Sequence, residues 1–348
     1  MKYTAAVLGA TGMVGQRFIT LLQKHPWFQL TAVTGSERRA GQKYGDAAQW
    51  KMSRPLRDDI ANLPLLPPDA EMDAQIIFSA LPADEAKILE PLYARRGHAV
   101  FSNASAFRME EDIPLIIPEV NPEHLDMIPR QQKNRGWSGF IVTNPNCSTI
   151  QIVLALKPLH SAARITKMAA VTMQAVSGAG YPGVSSYDIM GNIIPYIGQE
   201  EEKIERETKK LLGIWRDDHL EDAQMIISAQ CTRAPVLEGH TALISVATEQ
   251  PLSPQNAIAI WRRSVGLPQE LQLPSAPNPL IHVFSENDRP QPARDAELGE
   301  GMAVSVGRVR VCPIFGLKFV NLGHNTIRGA AGASLLNAEL AAAKQMIH

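Results

Sequence analysis

Tyr3-Thr4-Ala5-Ala6-Val7-Leu8-Gly9-Ala10-Thr11-Gly12-Met13-Val14-Gly15-Gln16 decides the fold. Tyr3 to Leu8 is a short apolar run, the pattern of a strand buried on both faces of a parallel sheet. A glycine turn follows, then an amphipathic helix through Lys24. Strand, glycine turn and helix in that order form the context in which glycines mean phosphate binding by a dinucleotide. Gly9 permits the turn, Gly12 lets backbone approach a pyrophosphate, and Gly15 lets helix and strand pack closely. Thr11, Met13 and Val14 complete the loop, and Thr11 stands where the commoner fingerprint has its middle glycine.

The next strand, Leu30 to Val33, ends in Thr34-Gly35-Ser36-Glu37-Arg38-Arg39. An acidic residue at such a strand end takes the ribose hydroxyls of NAD. Here a hydroxyl and two guanidinium groups suit a 2′-phosphate, because arginine offers a planar, charge-assisted fork. Ser36, Arg38 and Arg39 therefore point to NADP, while Glu37 leaves NAD open.

Further strands are expected at Gln75–Ala80, His98–Ser102, Leu115–Ile117 and Phe140–Val142, with a helix from Ala83 to Arg95. Strands alternating with helices over residues 1–145 mean a doubly wound parallel sheet. Ligands in such sheets bind beyond the carboxyl ends of the strands. Gly12, Ser36, Ser79, Arg108 and Cys147 all follow strand ends, so all are candidates to face one crevice.

At 348 residues the chain has room for two domains. Apolar content of 45%, charged content of 20% and a net charge of −1 are ordinary for a globular protein. No basic or acidic block calls for nucleic acid or a membrane surface. Three cysteines, Cys147, Cys231 and Cys312, without CxxC spacing support neither a disulfide framework nor a metal site. No signal-peptide anatomy and no run of transmembrane length is visible, so a reduced, cytoplasmic compartment is expected.

Beyond residue 145 the pattern changes. Arg164–Val176 is a long strand-like run, and Ala242–Ala247, Val304–Val311 and Leu317–Leu322 follow with few helices between them. This predicts a mixed sheet in an α+β second domain. Ser177-Gly178-Ala179-Gly180 is a loop whose glycines let backbone approach a ligand. Gln199–Leu212 reads as a charged helix, and such a charge run is usually a solvated face. Residues 253–265 read as a helix and Leu267–Pro292 as a long surface loop around a short strand at Ile281–Phe284. A final helix is expected from Asn325 to Gln345, returning to the first domain. The expected domains are 1–146, completed by 325–348, and 147–324.

Val142-Thr143-Asn144-Pro145-Asn146-Cys147-Ser148-Thr149 carries the chemistry. It reads as a strand end, a tight turn and a helix start. Backbone N–H groups in the first helical turn lack intrahelical partners, and the helix dipole is positive there. A thiol in that environment is favoured as thiolate, the nucleophilic form. A thiolate beside an imidazole is the usual pairing for covalent catalysis. Two histidines compete for that place: His240, after Gly239 and close to Arg233, and His324, beside Asn325.

Five stretches occur in one order along the whole chain: Gly9–Gln16, Asn144-Pro145-Asn146-Cys147, Gln174-Ala175-Val176-Ser177-Gly178-Ala179-Gly180, Arg233-Ala234-Pro235-Val236 with Gly239-His240, and Asn325-Thr326-Ile327-Arg328-Gly329-Ala330-Ala331-Gly332. Together they resemble the aspartate-β-semialdehyde dehydrogenases, especially the archaeal and fungal-type branch. The resemblance implies NADPH-dependent reductive dephosphorylation of L-aspartyl 4-phosphate to L-aspartate 4-semialdehyde, a step toward lysine, threonine and methionine. It implies Cys147 as nucleophile, His240 as acid/base and Gln174 as the residue orienting the acyl intermediate. It further implies Arg233 on the substrate carboxylate, Arg108 and Lys203 on phosphate, and Glu200 on the ammonium group, with Glu201 and Glu202 one slip away. Ser79, Ser177, Gly178 and Asn325 join the glycine loop as cofactor contacts. A homodimer or homotetramer is implied, built on the second domain's sheet; no metal is. Thr232 and Ala234 depart from the branch's asparagine and valine, which tunes the pocket wall. Two other functions compete: a malonyl-CoA or succinyl-CoA reductase on the same scaffold, and a non-catalytic NADP sensor.

Overall fold

The computed structural model describes residues 2–216 and 219–347. Met1 and His348, the outermost residues of the expected first domain, lie outside the described residues. The chain divides into two compact units: residues 1–116, 123–144 and 330–348, and residues 117–122 and 145–329.

The first unit is built on six strands: β1 (Tyr3–Leu8), β2 (Phe28–Thr34), β3 (Leu65–Leu66), β4 (Ile76–Ser79), β5 (Ala99–Ser102) and β6 (Phe140–Thr143). All pair in parallel, in the order β3-β2-β1-β4-β5-β6. That is the order of a dinucleotide-binding sheet, reversing between β1 and β4. The helix Met13–Leu22 buries Gly15, Phe18, Ile19 and Leu22, an i, i+3, i+4, i+7 stripe. Phe18 stacks on Phe78 of β4 with ring centroids 5.1 Å apart. The helix Ala83–Arg95 falls where the sequence reading expects it.

Leu115–Ile117 does not form the expected strand. It makes one parallel bridge, Leu115 to Thr143. Pro114 and Pro118 flank it, and a residue without an N–H cannot extend a ladder. The C-terminal segment is also more elaborate than one helix. A π-helical turn spans Ile327–Ala331, and the regular helix is Gly332–Ala343. That helix packs on β4 and β5 and is buried on every side from Gly332 to Ala342. Its polar residues find partners within the unit: Asn144 Nδ2 donates to Ser334 Oγ, Asn337 Nδ2 donates to Asn144 Oδ1, and Glu339 meets His25 at 2.8 Å.

The second unit contains β7 (Ile165–Gln174), β8 (Ile214–Arg216), β9 (His219–Glu221), β10 (Ile226–Arg233), β11 (His240–Thr248), β12 (Ile281–Val283), β13 (Val304–Cys312) and β14 (Gly316–Gly323). Six of them form a mixed sheet in the order β10-β7-β11-β14-β13-β12. β10–β7 and β12–β13 are parallel and the other pairs antiparallel. The helix Cys147–Ala163 packs across β7, β11, β13 and β14. Trp261 covers the same core, its Nε1 donating to Ala155 O and its ring 4.9 Å from that of Phe319. In mid-sheet Leu243 pairs with Val171 and Val320, and both Leu243 and Val171 are exposed.

β10 escaped the sequence reading because its outward residues, Ile226, Ser228 and Gln230, blur the apolar pattern. It is an edge strand covered by the helix Glu200–Leu211, whose Glu205 and Glu201 accept the N–H groups of Ala229 and Cys231. The stretch expected as one loop, 267–292, runs instead from a short helix at Leu267–Glu270 through β12 to another at Pro292–Asp295. The units also differ from the expected domains. Residues 117–122 and 325–329 belong together in the second unit, tied by a fully buried bidentate pair in which Arg328 donates to Glu119 at 2.9 and 2.5 Å.

Candidate active site

In the first unit the glycine loop meets the demands of a pyrophosphate. Gly9 has φ +68°, in the left-handed region that favours glycine. A Cβ at Gly15 would lie 2.3 Å from Gly9 O, so only glycine lets the helix start this close to the turn. At Gly12, by contrast, the nearest atom to an added Cβ is 3.5 Å away. No side chain caps the helix at Gly12, which leaves its first-turn N–H groups, from Met13 onward, for an anion. These residues fit a dinucleotide. Thr11 is held from behind, its carbonyl accepting Gln16 Nε2. After β2, Ser36 and Arg38 are exposed, whereas Arg39 Nη1 is engaged with Ala47 O at 2.9 Å.

Ser79 is placed differently from expectation. It is fully buried and its hydroxyl lies beside Glu90, so it offers no hydroxyl at the surface. Glu90 also accepts Ser102 Oγ at 2.6 Å. Burial pushes its carboxyl up to about 7, against the opposing pull of both serines and of the Arg108 charge. Arg108 itself is buried, with Nη2 donating to Asn103 O.

In the second unit, Asn146 caps the Cys147 helix. Its Oδ1 accepts the N–H groups of Ser148 at 2.9 Å and Thr149 at 3.2 Å. Cys147 is thus the first helical residue, and its Sγ lies 3.2 Å from His240 Nε2. Of the two competing histidines, His240 is the one that meets the thiol. His324, also buried, lies instead near Glu297 and Glu238. Gly329 presses on the nucleophile: a Cβ there would lie 2.8 Å from that of Cys147.

His240 opens β11 and is fully buried. Its Nδ1 accepts the Ala175 N–H at 3.0 Å. Ala175 O in turn accepts Arg233 Nη1 at 2.8 Å. Gly178 closes over both side chains, since a Cβ there would meet Arg233 Nη1 at 2.9 Å and His240 Cε1 at 3.1 Å. Burial, with the charges of Arg233 and His324, drives the imidazole down to about 3. Burial likewise lowers the Arg233 pKa, with Cys147 and Glu200 nearby pulling the other way. Ser177 and Asn325 brace the same loop. Asn325 Nδ2 donates to Ser177 Oγ and its Oδ1 accepts Gly239 N–H, while Ser177 donates to Glu238.

Of the three adjacent acids, Glu200 is the one that meets the residues around Cys147. Its carboxylate accepts Asn146 Nδ2 on both oxygens, Gln174 Nε2 at 3.2 Å and Lys203 Nζ at 3.1 Å. Glu201 turns to β10 and Glu202 is exposed. The charged helix is therefore not simply a solvated face. Glu200, Ile204, Glu207, Thr208 and Leu211 form its buried stripe. Glu207, which the sequence reading passed over, accepts the Asn146 N–H at 2.6 Å. The i, i+7 spacing from Glu200 was the available signal. Cys231, on the buried side of β10, has its thiol pushed up to about 11 by burial and stays protonated.

A reversing parallel sheet with an uncapped glycine loop, and a thiol–imidazole pair ringed by a carboxylate, an amide and a guanidinium, define a class: a dinucleotide-dependent dehydrogenase with a cysteine at its centre. Residues 4–128 match the family described as semialdehyde dehydrogenase, NAD binding domain, and residues 156–328 the semialdehyde dehydrogenase, dimerisation domain. The chain is 51% identical to the aspartate-semialdehyde dehydrogenase of Archaeoglobus fulgidus over the full length of both, and 45% identical to that of Schizosaccharomyces pombe over 98% of each. A crystal structure of aspartate semialdehyde dehydrogenase with NADP from Candida albicans superposes with a TM-score of 0.92 at 42% identity, covering 99% of this chain and 100% of that one. The chain belongs to the aspartate-semialdehyde dehydrogenase family.

Proposed function

We infer that this protein reduces L-aspartyl 4-phosphate to L-aspartate 4-semialdehyde with NADPH, reversibly, in the biosynthesis of lysine, threonine and methionine. The observation that carries this reading is the Cys147–His240 contact at 3.2 Å, in a family with that activity. The Cys147 thiolate attacks the acyl carbon; the C–S bond forms and the C–O bond breaks. The electron pair leaves with phosphate, which takes a proton from solvent. Bound NADPH supplies the hydride that reduces the resulting thioester. The C–S bond then breaks, returning the electron pair to Cys147 and releasing the aldehyde.

Gln174 orients the acyl group, Arg233 receives the substrate carboxylate, and Arg108 and Lys203 receive the phosphate. Glu200 receives the ammonium group; its buried carboxylate already holds the cation Lys203 at 3.1 Å. An acyl-CoA substrate presents no ammonium there, so the acyl-CoA reductase reading is not favoured. Gly9, Thr11, Gly12, Met13, Val14 and Gly15 cradle the pyrophosphate, and Ser36 and Arg38, with Arg39, favour NADP. Ser177, Gly178 and Asn325 complete the cofactor's surroundings.

The first unit is the NADP-binding domain, and the second serves catalysis and self-association. The exposed Val171 and Leu243 in mid-sheet support a homodimer or homotetramer built on that face. Three free cysteines support a cytoplasmic setting. The test is steady-state oxidation of aspartate semialdehyde, with and without phosphate and with NADP against NAD. Phosphate-dependent NADPH formation, abolished in Cys147→Ser with NADP affinity retained, is expected. Turnover of malonyl-CoA in place of aspartate semialdehyde would overturn the substrate assignment.

A further inference from the structure

Tyr44 stands outside every motif that points to the cofactor, yet its hydroxyl reaches the glycine loop. It opens the short helix Tyr44–Ala47, is fully buried, and its Oη donates to Ala10 O at 2.9 Å. A buried phenol needs an acceptor, and this one takes a carbonyl of the turn itself. Burial also raises its pKa, which keeps the hydroxyl a donor. The next carbonyl is held as well. Gln16, buried near the start of the following helix, donates Nε2 to Thr11 O and to Gln49 O, both at 3.0 Å, and its Oε1 accepts the Lys51 N–H at 2.7 Å.

Two consecutive peptides are thereby fixed in rotation. In a trans peptide the N–H lies opposite the C=O. With Ala10 O turned to Tyr44, the Thr11 N–H faces away from it, and among the described residues that N–H has no partner. Thr11 O is drawn to Gln16 while the Gly12 N–H bonds Gly9 O at 3.1 Å, so the second peptide is held at both ends. The donors left for an anion are the Thr11 N–H and those of the first helical turn from Met13 onward.

The braces come largely from one segment. Residues 36–51 follow β2 and carry Ser36, Arg38 and Arg39, the groups suited to a 2′-phosphate, before returning to the loop through Tyr44, Gln49 and Lys51. Arg39 Nη1 closes the segment on Ala47 O at 2.9 Å. Gly41 N–H to Leu65 O and Leu65 N–H to Gln42 O, both at 2.8 Å, lay it against β3.

We propose that Tyr44 is a positioning residue for NADP: through Ala10 O, and with Gln16 on Thr11 O, it holds the glycine turn with its unbonded N–H groups toward the pyrophosphate, as an extension of the segment that takes the 2′-phosphate. This rests on the reading of the loop as the NADP site. A buried hydroxyl bonded to Ala10 O acts through the loop and not by contact with the cofactor. Donors set in advance spare the ordering cost that a slack loop meets on binding, so loss of a brace shows as weaker affinity. Chemistry at Cys147 does not depend on the brace once the cofactor is bound.

Calorimetric titration with NADP, without substrate, tests this. Tyr44→Phe removes one oxygen and is expected to raise the NADP Kd about tenfold, the fold-change one net hydrogen bond supports. Its kcat at saturating NADP is expected to stay within about twofold of wild type. Tyr93→Phe is the control: that buried phenol of the same unit donates to Pro68 O and Ala70 O, at 2.8 and 3.1 Å, outside the glycine loop. It is expected to lose comparable thermal stability and keep wild-type NADP affinity. Gln16→Met, which keeps the length of the side chain and loses its amide, is expected to weaken NADP as Tyr44→Phe does. Adenosine 2′-monophosphate carries the 2′-phosphate without the pyrophosphate, and Tyr44→Phe is expected to bind it within about twofold of wild type. Wild-type NADP affinity in both Tyr44→Phe and Gln16→Met overturns the proposal. So does an equal loss in Tyr93→Phe, an equal loss for adenosine 2′-monophosphate, or a fall in kcat with affinity unchanged. Binding is read without substrate, so failure here is distinct from failure of the aspartyl phosphate assignment. A wild-type protein that binds no NADP overturns the cofactor site and this proposal with it.

Discussion

The carboxylate of Glu207 accepts the backbone N–H of Asn146, so the residue preceding the nucleophile is pinned from a helix far along the chain. The Asn146 side chain is pinned by Glu200 at the same time. Replacing Glu207 with leucine leaves a buried N–H without its acceptor, at about 1–3 kcal/mol of stability. It also frees the turn that aims the thiol. We expect Glu207→Leu to lower kcat by on the order of 10²-fold, as small misplacements of reacting groups do. Glu207→Gln keeps an acceptor and should restore most of it. Alkylation of Cys147 by iodoacetamide reads the same effect without substrate.

Gly329→Ala puts a methyl carbon where the Cys147 side chain begins. Neither atom is at the end of a flexible chain, so backbone must shift. Turnover should fall by at least about tenfold, with the rate of Cys147 alkylation changed in parallel. Wild-type kinetics in this variant would show that the π-helical turn yields freely.

Arg328 and Glu119 are both fully buried and pair with each other. Arg328→Met alone strands a carboxylate in the core and should cost about 3–5 kcal/mol in chemical denaturation. Arg328→Met with Glu119→Leu removes both charges and should recover much of the loss. A double variant no better than the single one would show that the pair's geometry, and not its charge balance, is what matters.

Glu90 has its carboxyl raised from 4.5 to about 7. The folded protein therefore keeps a proton that the unfolded chain releases between those values. By linkage, stability falls as pH rises from about 4.5 to about 7 and is level above that. The size is on the order of 3 kcal/mol. Glu90→Gln should remove this slope and be more stable than the wild type at pH 8. Parallel pH–stability curves for the two proteins would refute the assignment.

Much of the first unit was legible because strand, glycine turn and helix each leave a local signature. Gly9 and Gly15 are where backbone geometry admits nothing larger, and the burial of β4 and β5 writes itself as continuous apolar runs. Cys147 was legible from its turn. The rest of its surroundings was not, because it is assembled from residues far apart in sequence whose neighbours look ordinary. Glu207 reads as one more charge on a solvated helix until the buried stripe is seen. Ala175 contributes only a peptide N–H, which every alanine has. Ser79 stood at the right strand end, but a period-two pattern does not say that its hydroxyl would be buried beside Glu90. β10 was missed because a covered edge strand shares its apolar load with the helix above it.

The helix Gly332–Ala343, buried on every side against β4 and β5, has a consequence for biogenesis. On the ribosome, the nucleotide-binding sheet emerges early but lacks that helix until nearly two hundred further residues have been made. Through that interval its flank is an open greasy scar. The later-made half of the polypeptide, which needs nothing after residue 329, can mature first. Nascent chains stalled before residue 330 should therefore bind holdase chaperones through their beginning rather than their middle.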